Sequence, residues 1–255
     1  NISKASDIVA ILTPSATLTI LDDDAPPTLA VNDVTVGENA GPATFTVSLS
    51  QPSEYNVVVN YVATGGTAIV GVDFPVTIGS LTIPAGQSAG TISIPITNDN
   101  FYEGDETVTL DLSSATNATI SDNQGLGTIS DDDSAPTISI ASASLNEDAG
   151  SMQFVVTKSG NTALPITVDY VTADASASSS SDYTSTTGTL TIAAGSASGT
   201  ISVPIAADST AEGNETFTLT ISNPSGATIS TAAATGTITN EDAPTISGIT
   251  ANNGT

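Results

Sequence analysis

The sequence has no cysteine, no histidine and no tryptophan, and only two of its 255 residues are basic, Lys4 and Lys158. Each absence excludes something. Without Cys there are no disulfides or thiolate metal sites, and without His a zinc centre also loses its other usual ligand. The common acid–base and nucleophile pairings of hydrolases cannot be assembled from the side chains that remain. Carboxylate pairs such as Glu103 and Glu106 could serve glycoside hydrolysis, but that needs a cleft with aromatic platforms, and Trp is missing. The chain is therefore not read as an enzyme. Against the two lysines stand 27 Asp plus Glu, a net charge of −25. That balance excludes nucleic acid as a partner, since binding it requires basic groups that displace counterions. It excludes an anionic membrane surface for the same reason. No apolar run approaches the roughly 18 residues of a membrane span. The longest near the start, Ile8–Leu12, lacks the basic flank of a secretion signal. Aromatic residues make up 4%, so any core must be mostly Val, Ile and Leu.

What the chain does have is an internal copy of itself. Shifted by 109 residues, Thr28–Asp133 lies on Thr137–Asp242 with no insertion or deletion. Phe45 falls on Phe154, Tyr61 on Tyr170, Leu81 on Leu190 and Gly127 on Gly236. The acids keep register too: Glu38 on Glu147, Asp73 on Asp182, Asp99 on Asp208, Glu103 on Glu212, Glu106 on Glu215 and Asp133 on Asp242. A fixed period of this size means tandem modules, each near the commonest size for a single-core domain. The expected division is residues 25–133 and 134–242 as whole modules. Residues 1–24 align with the end of a module and residues 243–255 with its beginning. The ends are thus expected to carry a lone last strand around Leu18-Thr19-Ile20 and a lone first strand around Thr245-Ile246. The chain then reads as a segment of something longer.

The period-two alternation of Thr44-Phe45-Thr46-Val47-Ser48-Leu49, Thr91–Ile96 and Thr107–Leu112 predicts half-buried strands, and the β-branched residues suit them. Strands are expected at about 28–36, 43–50, 56–63, 79–83, 90–97, 106–113 and 125–130, and again 109 residues later. The fold class is all-β: two tandem seven-stranded antiparallel immunoglobulin-like sandwiches, with an orphan strand at each end. Pro95 and Pro204 fall inside a strand, so that strand should lie at a sheet edge or carry a bulge. Gly86 and Gly195 mark hairpin turns, Tyr61 and Tyr170 are expected to pack on the core, and Ser176–Ser181 reads as a flexible loop tip. The prolines in Ala25-Pro26-Pro27, Ala135-Pro136 and Ala243-Pro244 stiffen short junctions, favouring a rod over a flexible string.

If consecutive strands alternate direction, the first, third and fifth inter-strand connections and the end of the last strand all fall at one end of the sandwich. That end collects Glu38, Asp73, Asp99, Glu103, Asp105, Glu106, Asp131, Asp132 and Asp133, while the other holds only Glu54 and Asp122. Charge added for solubility would have no reason to choose an end. So many carboxylates repel one another unless something neutralises them. Calcium fits, taking 6–8 oxygen ligands in flexible geometry, whereas magnesium demands a tight octahedron and keeps its waters.

These residues resemble the Calx-beta domain, the calcium-binding sandwich of sodium–calcium exchangers that also occurs in tandem in integrin subunit β4 and in large bacterial adhesins. The matching stretches are Val36-Gly37-Glu38-Asn39-Ala40-Gly41, Gly71-Val72-Asp73-Phe74, Asn98–Thr107 and Gly127–Asp133, and the likeness runs through both modules. The resemblance implies calcium ligands at Glu38, Asp73, Asp99, Glu103, Glu106, Asp131, Asp132 and Asp133. Position 98 departs, with Asn where the exchanger has an acid. In the second module the implied ligands are Glu147, Asp182, Asp208, Glu212, Glu215, Glu241 and Asp242. Its closing triplet is Asn240-Glu241-Asp242, so its charge is lower, although Asp148 and Asp174 are extra acids nearby. Fewer or weaker ions are expected there.

The leading expectation is a calcium-binding structural repeat of a secreted or surface-anchored adhesive protein, with calcium stiffening the junctions. Its partners would be calcium ions and neighbouring repeats or copies of itself, without membrane insertion. A second reading is a filament subunit whose orphan strands complete sandwiches in neighbouring copies. A solvated acidic surface, or a sugar- or protein-binding module, are the remaining alternatives.

Overall fold

The computed structural model describes residues 25–242. The orphan strands expected at 18–20 and 243–246 lie outside the described residues. In the first module the chain forms β1 (Thr28–Val31), β2 (Val34–Gly37), β3 (Ala43–Leu49), β4 (Val57–Gly65), β5 (Ile78–Ile83), β6 (Ala89–Ile94), β7 (Glu106–Thr116), β8 (Thr119–Ile120) and β9 (Gln124–Ser130). The second repeats them as β10 (Thr137–Ile140), β11 (Ala143–Asn146), β12 (Ser151–Ser159), β13 (Ile166–Asp174), β14 (Thr187–Ile192), β15 (Ser198–Pro204), β16 (Glu215–Ser225), β17 (Thr228–Thr231) and β18 (Ala233–Thr239). Each module is a sandwich of a four-stranded sheet, β6-β3-β1-β8 or β15-β12-β10-β17, and a five-stranded one, β2-β9-β7-β4-β5 or β11-β18-β16-β13-β14. Among the described residues no helix is long and apolar enough to cross a membrane.

The alternation in the sequence becomes the two faces of each sheet. Along β3, Ala43, Phe45, Val47 and Leu49 are buried while Thr44, Thr46 and Ser48 are exposed. Phe45 and Phe154 lie at the centres of the two cores with no exposed surface. Burying a side chain of that size contributes roughly 1.5–3 kcal/mol. Phe154 meets Phe217 edge-to-face at 5.8 Å, and Tyr183 stacks on Phe217 at 4.3 Å. The close fit requires glycine opposite: a Cβ on Gly236 would stand 2.5 Å from Phe217 and 2.9 Å from Phe154. Tyr61 and Tyr170 are half-buried against their cores, each with its phenol lying over a glycine of the neighbouring strand, Gly79 or Gly188. The strand holding Pro95 and Pro204 is an edge strand in both modules: β6 ends one residue before Pro95, and β15 closes on Pro204. Gly86 and Gly195 turn with φ of +80° and +77°.

The two-sandwich architecture holds, with nine strands per module where seven were expected: β8 or β17 adds a short strand beside β1 or β10, and three further details differ from the sequence reading. The strand expected at 28–36 is broken, β1 pairing with β3 in one sheet and β2 with β9 in the other. In module one short polar side chains bond across the break, and module two breaks at the same place with Ala141-Ser142. The Asn32 carboxamide oxygen accepts from the Thr46 amide at 2.6 Å, and the Asp33 carboxylate accepts from the Leu126 amide at 2.7 Å. The pairing is also not wholly antiparallel. β2 runs parallel to β9, β1 to β8, and their repeats do the same, because first and last strands of a module point the same way. Finally, Ser176–Ser181 belongs to a hydrogen-bonded turn rather than a free tip: Ser178 O accepts from the Ser181 and Asp182 amides, and Ala177 is buried.

Candidate metal centres

The ends of β2, β4, β6 and β9 deliver four carboxylate-bearing segments to one end of module one. Glu38 opens a single 3-10 turn after β2 and is buried, its Oε1 accepting from the Asp99 amide at 2.8 Å. Asp73 closes the turn after β4, and its Oδ2 accepts from the Ile69 amide at 2.5 Å. Its main-chain oxygen receives the Thr97 amide at 2.8 Å, tying this loop to the one after β6. Asp131, just past β9, accepts from the Glu103 and Gly104 amides at 2.8 and 2.6 Å, and Gly104 reaches that position with φ of +77°. A chain segment without these carboxylates would have no partner for its turn amides, so the loops are folded around the acids.

The result is two clusters of three. Carboxylate oxygens of Glu38, Asp131 and Asp133 lie within 4.8 Å of one another, and so do those of Asp73, Glu103 and Glu106. Glu38 and Asp131 from one cluster and Asp73, Glu103 and Glu106 from the other line a single small cavity. Module two has the same pair: Glu147, Asp208 and Asp242, and Asp182, Glu212 and Glu215. The second cluster is position-for-position that of module one. In the first, Asn240 stands where Asp131 stood; its amide donates to the Thr210 carbonyl at 3.1 Å and to Glu147 at 3.4 Å, and Asp208 supplies the third carboxylate. The lower charge of module two thus removes neither cluster.

Three sequence-selected residues stand outside the triads. Asp132 accepts from the Asn39 amide at 2.5 Å, and its repeat Glu241 accepts from the Asp148 main-chain amide at 3.2 Å. Both are turned back on the 3-10 turn. Asp99 caps its own loop through the Phe101 amide at 2.8 Å, and its charge is felt by Glu38, Glu103 and Asp133. Of the extra acids, Asp174 does not join a cluster but binds the Tyr183 hydroxyl. Asn39 and Asn240 stand in the sequence motifs but are given no role at the site; their carboxamides donate to Asp132 and to Glu147, and the Asp131-to-Asn240 change between repeats was the readable signal.

Crowding shows in the acidities. Burial first, then the charges of Asp73 and Asp99, push Glu103 up to about 7. Burial and contact with Asp73 do the same to Glu106. Glu147 is pushed to about 7 by burial and by Asp242, and Glu215 by burial and by Asp182. Burial and the neighbouring Asp131 and Asp132 raise Asp133, and burial also raises Glu38. In each module one carboxylate oxygen is buried with no hydrogen-bond partner, Oδ2 of Asp133 and Oδ2 of its repeat Asp242. An acceptor left unpaired out of water is costly. All-oxygen donor sets of this kind, with acceptors to spare, suit a hard cation of flexible geometry.

The loop that carries Glu103 also reaches module two. Tyr102 forms an isolated bridge with Thr162: its amide donates to Asn161 O and its carbonyl receives the Ala163 amide, both at 3.3 Å. The Thr162 hydroxyl, buried although it lies in a loop, donates to the same Tyr102 carbonyl at 2.7 Å.

The family model of the Calx-beta domain matches residues 22–129 and 131–242. Among solved structures, "CBD12 from CALX1.2" is 19% identical over 83% of this chain and 99% of that one, with a TM-score of 0.41. The "apo-form Calx CBD1 domain" is 23% identical over 43% of this chain and all of that one, at 0.40. The "calcium binding domain CBD12 of CALX1.1" is 22% identical over 77% and 80%, at 0.39. No curated protein matches the chain.

Proposed function

Because the chain belongs to the Calx-beta domain family through both of its modules, we propose that it is a calcium-binding structural repeat of a secreted or cell-surface protein, with calcium bracing the module junctions. One observation carries this reading. Two three-carboxylate clusters recur at one end of each module, four in all, and Lys158 on β12, a member of none of them, is the sole basic side chain among the described residues. Bound calcium would supply the positive charge that these clusters lack. In module one Glu38, Asp131 and Asp133 would hold one ion and Asp73, Glu103 and Glu106 another; in module two the equivalent triads do so. Asp133 Oδ2 and Asp242 Oδ2 are acceptors awaiting a partner. Asp99, Asp132 and Glu241 add charge at the rim and hold the loops.

Each triad joins segments distant in sequence, so an ion held there cross-links loops that otherwise repel. The loop containing Glu103 also contains Tyr102, whose main chain pairs with the 161–163 loop of module two. Fixing that loop therefore fixes part of the contact between modules. This is a binding and bracing role, and no residue in it has a catalytic task. An extracellular setting agrees with sites of this all-oxygen class, whose dissociation constants there are about 10⁻⁴–10⁻³ M.

Calorimetric titration of the chelator-treated chain with calcium, and separately with magnesium, tests the reading. Saturable heat with calcium at sub-millimolar to millimolar concentration, and at least tenfold weaker binding of magnesium, is the expected result. Absence of calcium binding at 10 mM would leave the carboxylates as solvated surface.

A further inference from the structure

We propose that Asp174 and Tyr183 form a brace, absent from module one, that holds the Asp182 cluster of module two in its ion-binding geometry before any ion arrives. The inference rests on the calcium reading above and deepens it for one site.

The two repeats close the turn after their fourth strand by different means. In module one the Gly71 amide donates to Phe74 O at 2.7 Å, and Gly71 adopts φ of +90°. That backbone conformation is readily available only to glycine. Module two has Ser180 at the equivalent position, and its φ is not positive. Both repeats keep two main-chain bonds to one carbonyl, Ile69 O or Ser178 O, but the bond that closes the turn onto Phe74 has no counterpart in module two. In its place a single carboxylate grips both ends of the turn. Asp174 Oδ1 accepts from the Ser179 amide at 2.9 Å and from the Tyr183 hydroxyl at 2.5 Å. Between these two points lies Asp182, whose own Oδ2 accepts from the Ser178 amide at 2.7 Å.

The replacement is coordinated. Tyr183 occupies the place of Phe74, keeps the ring buried on Phe217 and adds the hydroxyl. Asp174 occupies the place of Gly65, where a side chain in module one would collide with the Ala68 carbonyl oxygen. Module one therefore cannot host the clamp, and module two without it would keep only the bonds to Ser178, with nothing tying the turn to residue 183. A third polar pair reinforces the same loop: Thr172, standing where module one has Ala63, exchanges hydrogen bonds with Thr186. Asp174 itself lies outside both triads, so its role is positioning rather than ligation.

Ordering a loop in advance removes that cost from ion binding, and affinity rises by the same factor. Loss of one charged hydrogen bond that holds a ligand loop should weaken that site about tenfold, the equivalent of about 1.4 kcal/mol.

The test follows calcium titrations of the whole chain by amide NMR, which reports each module separately. Tyr183→Phe, which restores the residue of module one, should shift the midpoint for amides 178–182 about tenfold to higher calcium and leave amides 69–73 unchanged. Asp174→Gly with Tyr183→Phe should do at least as much. Adding Ser180→Gly to that pair supplies the main-chain device of module one and should recover most of the lost affinity, which general destabilisation would not allow. A wild type whose 178–182 and 69–73 amides both ignore calcium would sink the calcium reading and the brace with it. A wild type that titrates while Tyr183→Phe stays within twofold of it, or a triple variant without recovery, would overturn the brace alone.

Discussion

Replacing Glu106 by Gln should move the stability of module one in opposite directions with and without calcium. Glu106 lies against Asp73 and near Glu103, and burial and those charges push its carboxyl up to about 7. At pH 8 the metal-free protein holds it ionised at a cost. A shift from 4.5 to about 7 corresponds to at most about 3 kcal/mol; solvent screening at this partly open rim reduces that to about 1 kcal/mol. Gln keeps the shape and removes the charge, so in EDTA the variant should be more stable than the wild type. The entropy of unfolding, about 2.1 cal/mol/K per residue, gives about 0.23 kcal/mol/K for a module of this size, so the gain is about 4 °C. With calcium the sign reverses. At 10 mM calcium and a dissociation constant of about 10⁻⁴–10⁻³ M, each site adds about 1.4–2.7 kcal/mol. Two sites raise Tm of module one by roughly 12–24 °C. Glu106→Gln loses one of them, so its calcium-induced shift should fall by roughly half and the variant should melt below the wild type. Scanning calorimetry in EDTA and in calcium at pH 8 reads both. A variant less stable than wild type in EDTA, or one with an undiminished calcium shift, would refute the reasoning.

Two further outcomes are expected. Glu103, Glu106, Glu147 and Glu215 have folded-state pKa values of about 7 against 4.5 when free; between these values the folded state holds protons that the unfolded chain has released. Their stabilisation is complete below about pH 4.5 and lost as pH rises through about 7, so Tm in EDTA should fall from pH 5 to pH 8 and calcium should flatten or invert the trend. A metal-free Tm that rises over that interval would contradict this. Thr162→Val removes the hydroxyl that bonds Tyr102 O and leaves the Leu164 amide without its 3.0 Å acceptor. The loss should be about 1–3 kcal/mol in module two, accompanied by faster hydrogen exchange at the Glu103 amide in module one; unchanged exchange there would mean that the bridge does not couple the modules.

The repeat, the all-β class and the end of each module at which acid collects are legible in the residues alone. These follow from short-range physics: period-two alternation selects which side chains are buried, and alternating strand direction sends every second loop to the same end. What the residues alone could not divide was the acidic set. Asp131, Asp132 and Asp133 are consecutive, yet Asp131 and Asp133 enter a triad while Asp132 turns back to Asn39. That choice depends on the direction each carboxylate takes from an irregular segment, which amide donors in other loops decide. The break at Asn32-Asp33 was hidden for a related reason. Both halves read as strand, and only the amides of Thr46 and Leu126, brought near by the other strands, give those two side chains something to bind. Asp174 looked like one more acid at the metal end, and Tyr183 like one more core aromatic. Only the tertiary structure placed a hydroxyl against a carboxylate nine residues away. The contact between Tyr102 and Thr162 is the extreme case, since alternation and register act within a sandwich and nothing in them specifies which loops of two sandwiches will meet.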